Sequence, residues 1–306
     1  MLTDIAAESF LRPDDYLGAN VDVRMAGMDP LEHYRQYGRA EGRKQLTGAA
    51  RIKELREEKL KRVQFKHPPV TAGEVGAPRD YIPDDIRKSF ELPDFIPIAE
   101  NDYNSEIIDT IKKNPGKLFL DVGAGFRHTY YSNVVNAEIW PARSTDVMCV
   151  GESLPFEDAQ FDYIFCLAVL EHTKRPWIAV EEMLRVLKPG GHVRIDWPFL
   201  QPFHGYPYHF YNATSKGTES LFEDQCDIIS SEVKPWQHPI FSLTWILQEW
   251  NSGLSEAERP DFHRLTVADL LSKSSAAMLG DRFCSELPVA TREIISAGTT
   301  LIARKR

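Results

Sequence analysis

Cysteine is scarce in this chain of 306 residues: Cys149, Cys166, Cys226 and Cys284 stand far apart, with no C-x-x-C pair among them. That spacing excludes a cysteine-type zinc centre, and no metal is expected. Three of the four lie in or beside apolar runs, which reads as buried, reduced thiols. No apolar run approaches the length of a membrane span, and the N-terminus lacks the basic start and apolar core of a signal peptide. A cytoplasmic protein is expected. Positive charge is also in short supply. With 36 Lys and Arg against 45 Asp and Glu, the net charge of -9 argues against a nucleic-acid partner held on a broad basic face. The pattern G-x-x-x-x-G-K-[ST] is absent, so nucleoside triphosphate chemistry lacks its phosphate cradle. What is present is a hydrophobic fraction of 42%, ordinary for a real core, in a chain long enough for one large α/β domain and a small appendage.

Residues 1–48 read as a small helical module. Asp29 can cap a helix that Pro30 opens, Glu32 can reach back, and Gly38 and Gly42 mark helix ends. Tyr16, Leu17, Val21, Val23, Leu31, Tyr34 and Tyr37 offer a mini-core too small to stand alone, so the module is expected to dock on something. Residues 49–80 read as a charged helix followed by a linker. The run 51–63 alternates in charge, as a solvated helix does, and a Pro/Gly stretch extends from His67 to Pro78. Residues 81–306 form the main domain, in which strands are expected near 118–122, 133–139, 146–150, 161–166 and 192–197. Helices are expected at 104–113, 176–187 and 215–223. Further strands are expected near 227–233 and 298–304, with a helical insertion over about 240–280 before the last of them. Strands alternating with helices imply a doubly wound parallel sheet.

The most informative stretch is Leu118-Phe119-Leu120-Asp121-Val122-Gly123-Ala124-Gly125. A short apolar run that ends in an acidic residue and two glycines reads as a buried parallel strand followed by a tight turn. Asp121 then stands at the carboxyl end of a strand, where open α/β sheets bind ligands. A dinucleotide fingerprint would need a third glycine where His128 stands. Carboxylates recur at strand ends instead, at Asp121, Glu138 and Glu152. They repel phosphate but suit an ammonium group, a ribose diol and an adenine amine. That pattern fits S-adenosylmethionine.

Asp121–Gly125 resembles motif I of the class I S-adenosylmethionine-dependent methyltransferases, of the methyltransferase type 11 kind. The later runs Gly151–Phe156, Phe161-Asp162, Val169-Leu170-Glu171-His172 and Arg185–Gly191 are similar to later motifs of that family in order and spacing. The resemblance implies an α/β, Rossmann-like sheet of seven mostly parallel strands whose last strand is antiparallel. It implies that Asp121, Gly123 and Gly125 line the methionine moiety and that Glu138 binds the ribose hydroxyls. Glu152, Ser153 and Leu154 would then sit by the adenine, and Leu167 and Ala168 near the methionine. Only twelve residues separate Gly125 from Glu138, so the first helix is expected to shrink to about a turn. The amino-acid end of the cofactor would then rest on Phe126–Thr129 or on the segment that precedes Leu118.

After the fifth expected strand, residues 198–211 are dense in proline, histidine and aromatic side chains. This loop resembles a bacterial subgroup of these methyltransferases found with polysaccharide glycosyltransferases. His204 or His209 would take the proton of a sugar hydroxyl, a task suited to a side chain that titrates near neutrality, and Asp196 would orient one of them. His172 reads as a satisfied residue at a helix start. The aromatic residues Trp236, Phe241, Trp245 and Trp250 read as packing. Residues 1–48 resemble a module attached to bacterial glycosyltransferases. The acceptor expected is therefore a sugar or glycan, with another small metabolite as the alternative. A non-catalytic scaffold that recruits glycosyltransferases through residues 1–48 is the reading of a different class.

Overall fold

The structure, a computed structural model, describes residues 2–71, 73–92, 98–205, 208–302 and 304. Tyr206 and Pro207 of the aromatic loop, and position 303 of the expected last strand, lie outside the described residues. The chain forms two compact units: residues 1–170 with 175–196, and residues 171–174 with 197–306.

The first unit carries the strands β1 (Thr3–Ile5), β2 (Lys44–Leu46), β3 (Arg79–Asp80), β4 (Phe119–Val122), β5 (Thr129–Tyr130), β6 (Val134–Glu138), β7 (Val147–Met148), β8 (Phe161–Leu167) and β9 (Leu187–Asp196). Six of them form one sheet in the order β3-β7-β6-β4-β8-β9, with every pairing parallel. All four residues of β4 are buried, as its unbroken apolar run demands of a central strand. Its neighbours β6 and β8 lie on opposite sides, so the strand order reverses at β4. The carboxyl end of β4 is therefore the topological switch point of the sheet.

The expected helices at 104–113 and 176–187 form as Ser105–Lys113 and Pro176–Val186. The first is capped by the Asn104 side chain and buries Ile107 and Ile111 against Phe119, Val134 and Phe165. The second buries Ala179, Val180, Met183 and Val186, spaced for one helical face. Lys188–Gly191 does not simply turn the chain into the fifth strand. It forms an irregularity inside β9, where the register against β8 shifts between Phe161 and Tyr163.

The structure corrects four expectations. No helix follows Gly125; β5 takes its place, consistent with the β preference of Thr129 and Tyr130. Residues 1–48 are not helical throughout. β1 pairs antiparallel with β2 and parallel with β5, so this segment shares a sheet with the chain just past the glycine loop. Its core is Ala6, Tyr16, Val23 and Tyr34, while Val21 and Tyr37 are exposed. The charged helix, Ala49–Leu60, is not a solvated one: it buries Ile52, Leu55, Arg56, Lys59 and Leu60. Its cations find a partner in Asp146, which is 0% exposed, with Lys59 Nζ at 2.7 Å and Arg56 Nε at 3.3 Å. Finally, residues 227–233 and 298–302 form no strand, so the described sheet has six strands rather than seven. Apolar residues there stay in solvent, Ile229 at 81% exposure and Ile302 at 92%.

The second unit is helical where it is regular. Over the expected insertion it carries Pro239–Gly253, Arg259–Arg264, Val267–Ser272 and Ser275–Met278. Gly253 lies so close to the helix Val289–Ile294 that a Cβ there would stand 2.3 Å from Thr291 Oγ1.

Candidate functional site

At the end of β4 the two glycines are required by geometry. Gly123 has φ +68° and Gly125 φ +61°, both left-handed. A Cβ on Gly123 would stand 2.5 Å from Val169 Cγ2, and one on Gly125 would stand 2.5 Å from the Ala99 carbonyl oxygen. That carbonyl accepts a hydrogen bond from Phe126 N–H at 2.9 Å. The lead-in segment thus wraps the glycine loop. Asn101 O accepts from Arg127 Nη1 at 2.7 Å, and Asp102 Oδ1 accepts from His128 N–H at 3.1 Å.

Asp121 is fully buried, and its two oxygens differ. Oδ2 accepts from Arg127 Nε at 2.9 Å and from the Tyr103 hydroxyl at 2.5 Å, with Arg127 Nη2 also 2.9 Å away. The guanidinium lies 4.4 Å from the Tyr103 ring centroid. Oδ1 is buried without a hydrogen-bond partner. Burial, and then the Asp121 charge, hold the Tyr103 hydroxyl well above its ordinary range. Burial works against the Arg127 charge, yet the attraction of Asp121 raises its pKa further. Tyr103 and Arg127 were not named as site residues from sequence. Their signal lay only in the unusual shortness of the segment after Gly125.

Glu138 closes the other side of the loop. Its Oε2 accepts from Gly125 N–H at 2.8 Å and its Oε1 from Ile139 N–H at 2.7 Å. Burial raises its pKa against those two donors. Each oxygen keeps capacity to accept another hydrogen bond, as a ribose diol would require. Hydrogen bonds thus join Gly125 to Glu138, and Arg127, two residues further on, to Asp121.

The remaining expected cofactor residues divide. Glu152 is 9% exposed and accepts from Arg175 N–H at 3.4 Å. Ser153 is exposed, and its N–H donates to Val150 O. Leu154 has its side chain buried in the core, and its N–H donates to Glu182 Oε2 at 2.9 Å. Leu167 ends β8, paired with Asp196. Ala168 is exposed at a left-handed φ of +55°, its N–H donating to Asp196 O at 2.8 Å. Asp196 was expected to orient a histidine, but its carboxylate accepts from Arg194 Nε at 3.2 Å.

The second unit holds the histidines. His204 Nδ1 faces Pro202 O at 2.9 Å, so it carries the proton, and Nε2 keeps a lone pair. His209 is engaged at both nitrogens: Nδ1 accepts from His204 N–H at 3.1 Å, and Nε2 donates to Asn212 Oδ1 at 2.8 Å. His172 joins them, its ring centroid 5.0 Å from that of His204. Burial lowers the pKa of both His172 and His209. Trp245 packs on His204 with 5.3 Å between centroids. Beside them Glu171 is fully buried with neither carboxylate oxygen hydrogen-bonded, and burial pushes its pKa up to about 7. Glu171 and His172 are the residues that the sequence reading did not select for chemistry.

Residues 120–195 match the family model described as a methyltransferase domain. This segment is therefore similar to methyltransferase domains. It contains Asp121, both glycines, Glu138, Glu152 and the strands β6 to β8. Among curated proteins, an uncharacterized methyltransferase of Mycobacterium tuberculosis is 44% identical over 61 residues, covering 20% of this chain and 24% of that one. Another, of Mycobacterium leprae, is 40% identical over 110 residues, covering 30% and 41%. The chain thus spans about a quarter to two fifths of the length of these relatives. Among solved structures, the YcgJ protein of Bacillus subtilis is 22% identical, covering 46% of this chain and 80% of that one, with a TM-score of 0.31. Phosphoethanolamine N-methyltransferase 2 of Haemonchus contortus is 17% identical, covering 68% and 54%, with a TM-score of 0.33.

Proposed function

We propose that this chain is an S-adenosylmethionine-dependent methyltransferase that transfers the methyl group to a hydroxyl of a sugar or glycan intermediate. One observation carries the cofactor assignment. Asp121 Oδ1, a buried acceptor at the sheet's switch point, has no partner of its own beside a glycine loop whose next carboxylate is Glu138. A buried acceptor in that state favours a ligand that brings a donor, and the ammonium group of the cofactor is one. Gly123 and Gly125 admit the methionine end, Glu138 accepts the ribose hydroxyls, and Glu152 with Ser153 faces the adenine. Leu167 and Ala168 flank the methionine.

Positioning the sulfonium methyl against the acceptor oxygen supplies most of the rate, since orientation of this kind is worth roughly 7–11 kcal/mol. Removal of the acceptor proton adds less. His204 takes that proton through its Nε2, and His209 holds His204 by accepting its backbone N–H. The aromatic residues of loop 198–211 suit the apolar face of a sugar ring.

Calorimetry with S-adenosylhomocysteine tests the cofactor assignment. Binding that Asp121→Asn weakens at least tenfold is expected, and no heat at millimolar ligand overturns the proposal. An acceptor screen with sugars and other hydroxylated metabolites then tests the substrate. Activity that survives both His204→Ala and His209→Ala removes the base assignment and leaves the rest standing.

A further inference from the structure

Glu171, His172 and His204 each offer one ligand atom, and the three atoms lie within 4.8 Å of one another. Two further features point to an ion. First, Glu171 is 0% exposed and neither of its oxygens has a hydrogen-bond partner. A buried carboxylate in that state is costly unless it is paired with charge or bound to a metal. Second, both histidines are set in the tautomer that a metal needs. His172 Nδ1 faces Tyr208 O at 2.7 Å and His204 Nδ1 faces Pro202 O at 2.9 Å, which leaves Nε2 of each ring as the donor atom. A carbonyl on the far nitrogen is the usual outer support of a metal-binding histidine. Gly205, at φ +61°, lets the loop come this close. A Cβ there would stand 2.7 Å from His172 Cε1.

We propose that Glu171, His172 and His204 bind a divalent first-row transition ion, with zinc and manganese the natural candidates. Two imidazoles and one carboxylate suit such ions better than they suit magnesium or calcium, whose sites are built from oxygen. Three protein ligands leave coordination positions open for water or for the oxygen of a hydroxylated ligand. The use of the ion rests on the methyltransferase reading: an alcohol oxygen bound there is more acidic, the task given above to the imidazole. His204 then serves as a ligand. His209, engaged at both nitrogens, stays outside the set. The binding itself does not depend on that reading.

The test uses the full chain, stripped with chelator and titrated separately with zinc and manganese chloride in a calorimeter. One ion per chain is expected, with at least a tenfold loss of affinity in Glu171→Gln and in His172→Gln. Tight binding is expected to persist in His67→Gln, an exposed histidine of the first unit. Circular dichroism of each variant shows whether it is folded. Cobalt-loaded wild-type protein gives a readout that needs no variant. Its proton spectrum is expected to show two strongly shifted, exchangeable imidazole N–H signals. No binding to wild type at tenfold excess of either ion, or binding unmoved by both ligand variants, overturns the proposal. S-adenosylhomocysteine titrated into the same stripped samples separates the two readings. Cofactor binding without ion binding ends this proposal alone, and ion binding without cofactor binding ends the methyltransferase reading alone.

Discussion

Asp121 and Asp146 are both fully buried carboxylates in the first unit, each held by an arginine and a tyrosine, yet they end up in opposite states. Asp146 is closed. It pairs with Lys59 and Arg56, the Tyr130 hydroxyl donates to Oδ1, and Asn136 N–H donates to Oδ2 at 2.7 Å. Two cations and two further donors leave neither oxygen empty, and the group fastens the charged helix to the sheet beside β6 and β7. Asp121 is open. One cation and one hydroxyl crowd onto Oδ2, and Oδ1 keeps no partner. Burial and charge alone therefore do not separate a saturated carboxylate from one with an acceptor to spare. The count of satisfied lone pairs does.

The comparison breaks most easily at Asp146. Asp146→Ala leaves Lys59 and Arg56 buried without their anion and is expected to cost about 3–5 kcal/mol in denaturant unfolding, with S-adenosylhomocysteine affinity of the folded fraction unchanged. A loss below about 1 kcal/mol would show that the network is not structural. Asp121→Asn is expected to do the reverse. Stability falls by about 1–3 kcal/mol, while cofactor affinity falls at least tenfold, about 1.4 kcal/mol. Equal losses of stability with no change in affinity would erase the distinction. Next comes Gly125→Ala, which forces a left-handed alanine against the Ala99 carbonyl. It is expected to cost about 1–3 kcal/mol and to weaken cofactor binding through the Gly125 N–H that Glu138 accepts.

The smallest effect belongs to a third carboxylate, Asp162, near the start of β4. Burial alone would raise its pKa, but Leu118 N–H, Lys188 and Lys117 hold it below the usual carboxylate value. Its stabilising contribution is therefore present above about pH 4, the unfolded value, and is lost as pH falls through the lower folded value. Asp162→Asn is expected to flatten the acid limb of the stability curve in that window and to leave the neutral limb and cofactor affinity alone. A curve unchanged by the substitution would remove Asp162 as a contributor.

Much of this was legible because it is local. The apolar run before Asp121, the glycine pair, the Asn104 cap and the helical spacing of Ala179, Val180 and Met183 each place their signal within a few residues. Glu138 was legible for the same reason, as a carboxylate at a strand end. The charged run 51–63 misled because its pattern is that of a solvated helix, while the group that draws Arg56 inward lies 90 residues away. Arg127 was hidden in the same manner. Nothing in Phe126–Thr129 says that the guanidinium turns back onto Asp121. The apolar stretches 227–233 and 298–302 carry strand-like composition, but a strand exists only where a neighbour accepts its hydrogen bonds, and composition does not supply the neighbour.

The parallel sheet, the glycine loop at the end of a central strand and the acidic residues at the strand ends beside it are written in the local pattern of the chain. Those features follow from side-chain periodicity and from the conformational freedom of glycine, which act over a turn or a strand. Long-range packing decided which carboxylate is sealed and which is left with an unused oxygen. It also decided that Glu171 meets His172 and His204, and that residues 1–48 add β1 beside β5. Each depends on which distant donors arrive at a buried acceptor, and a chain's local pattern holds no record of that.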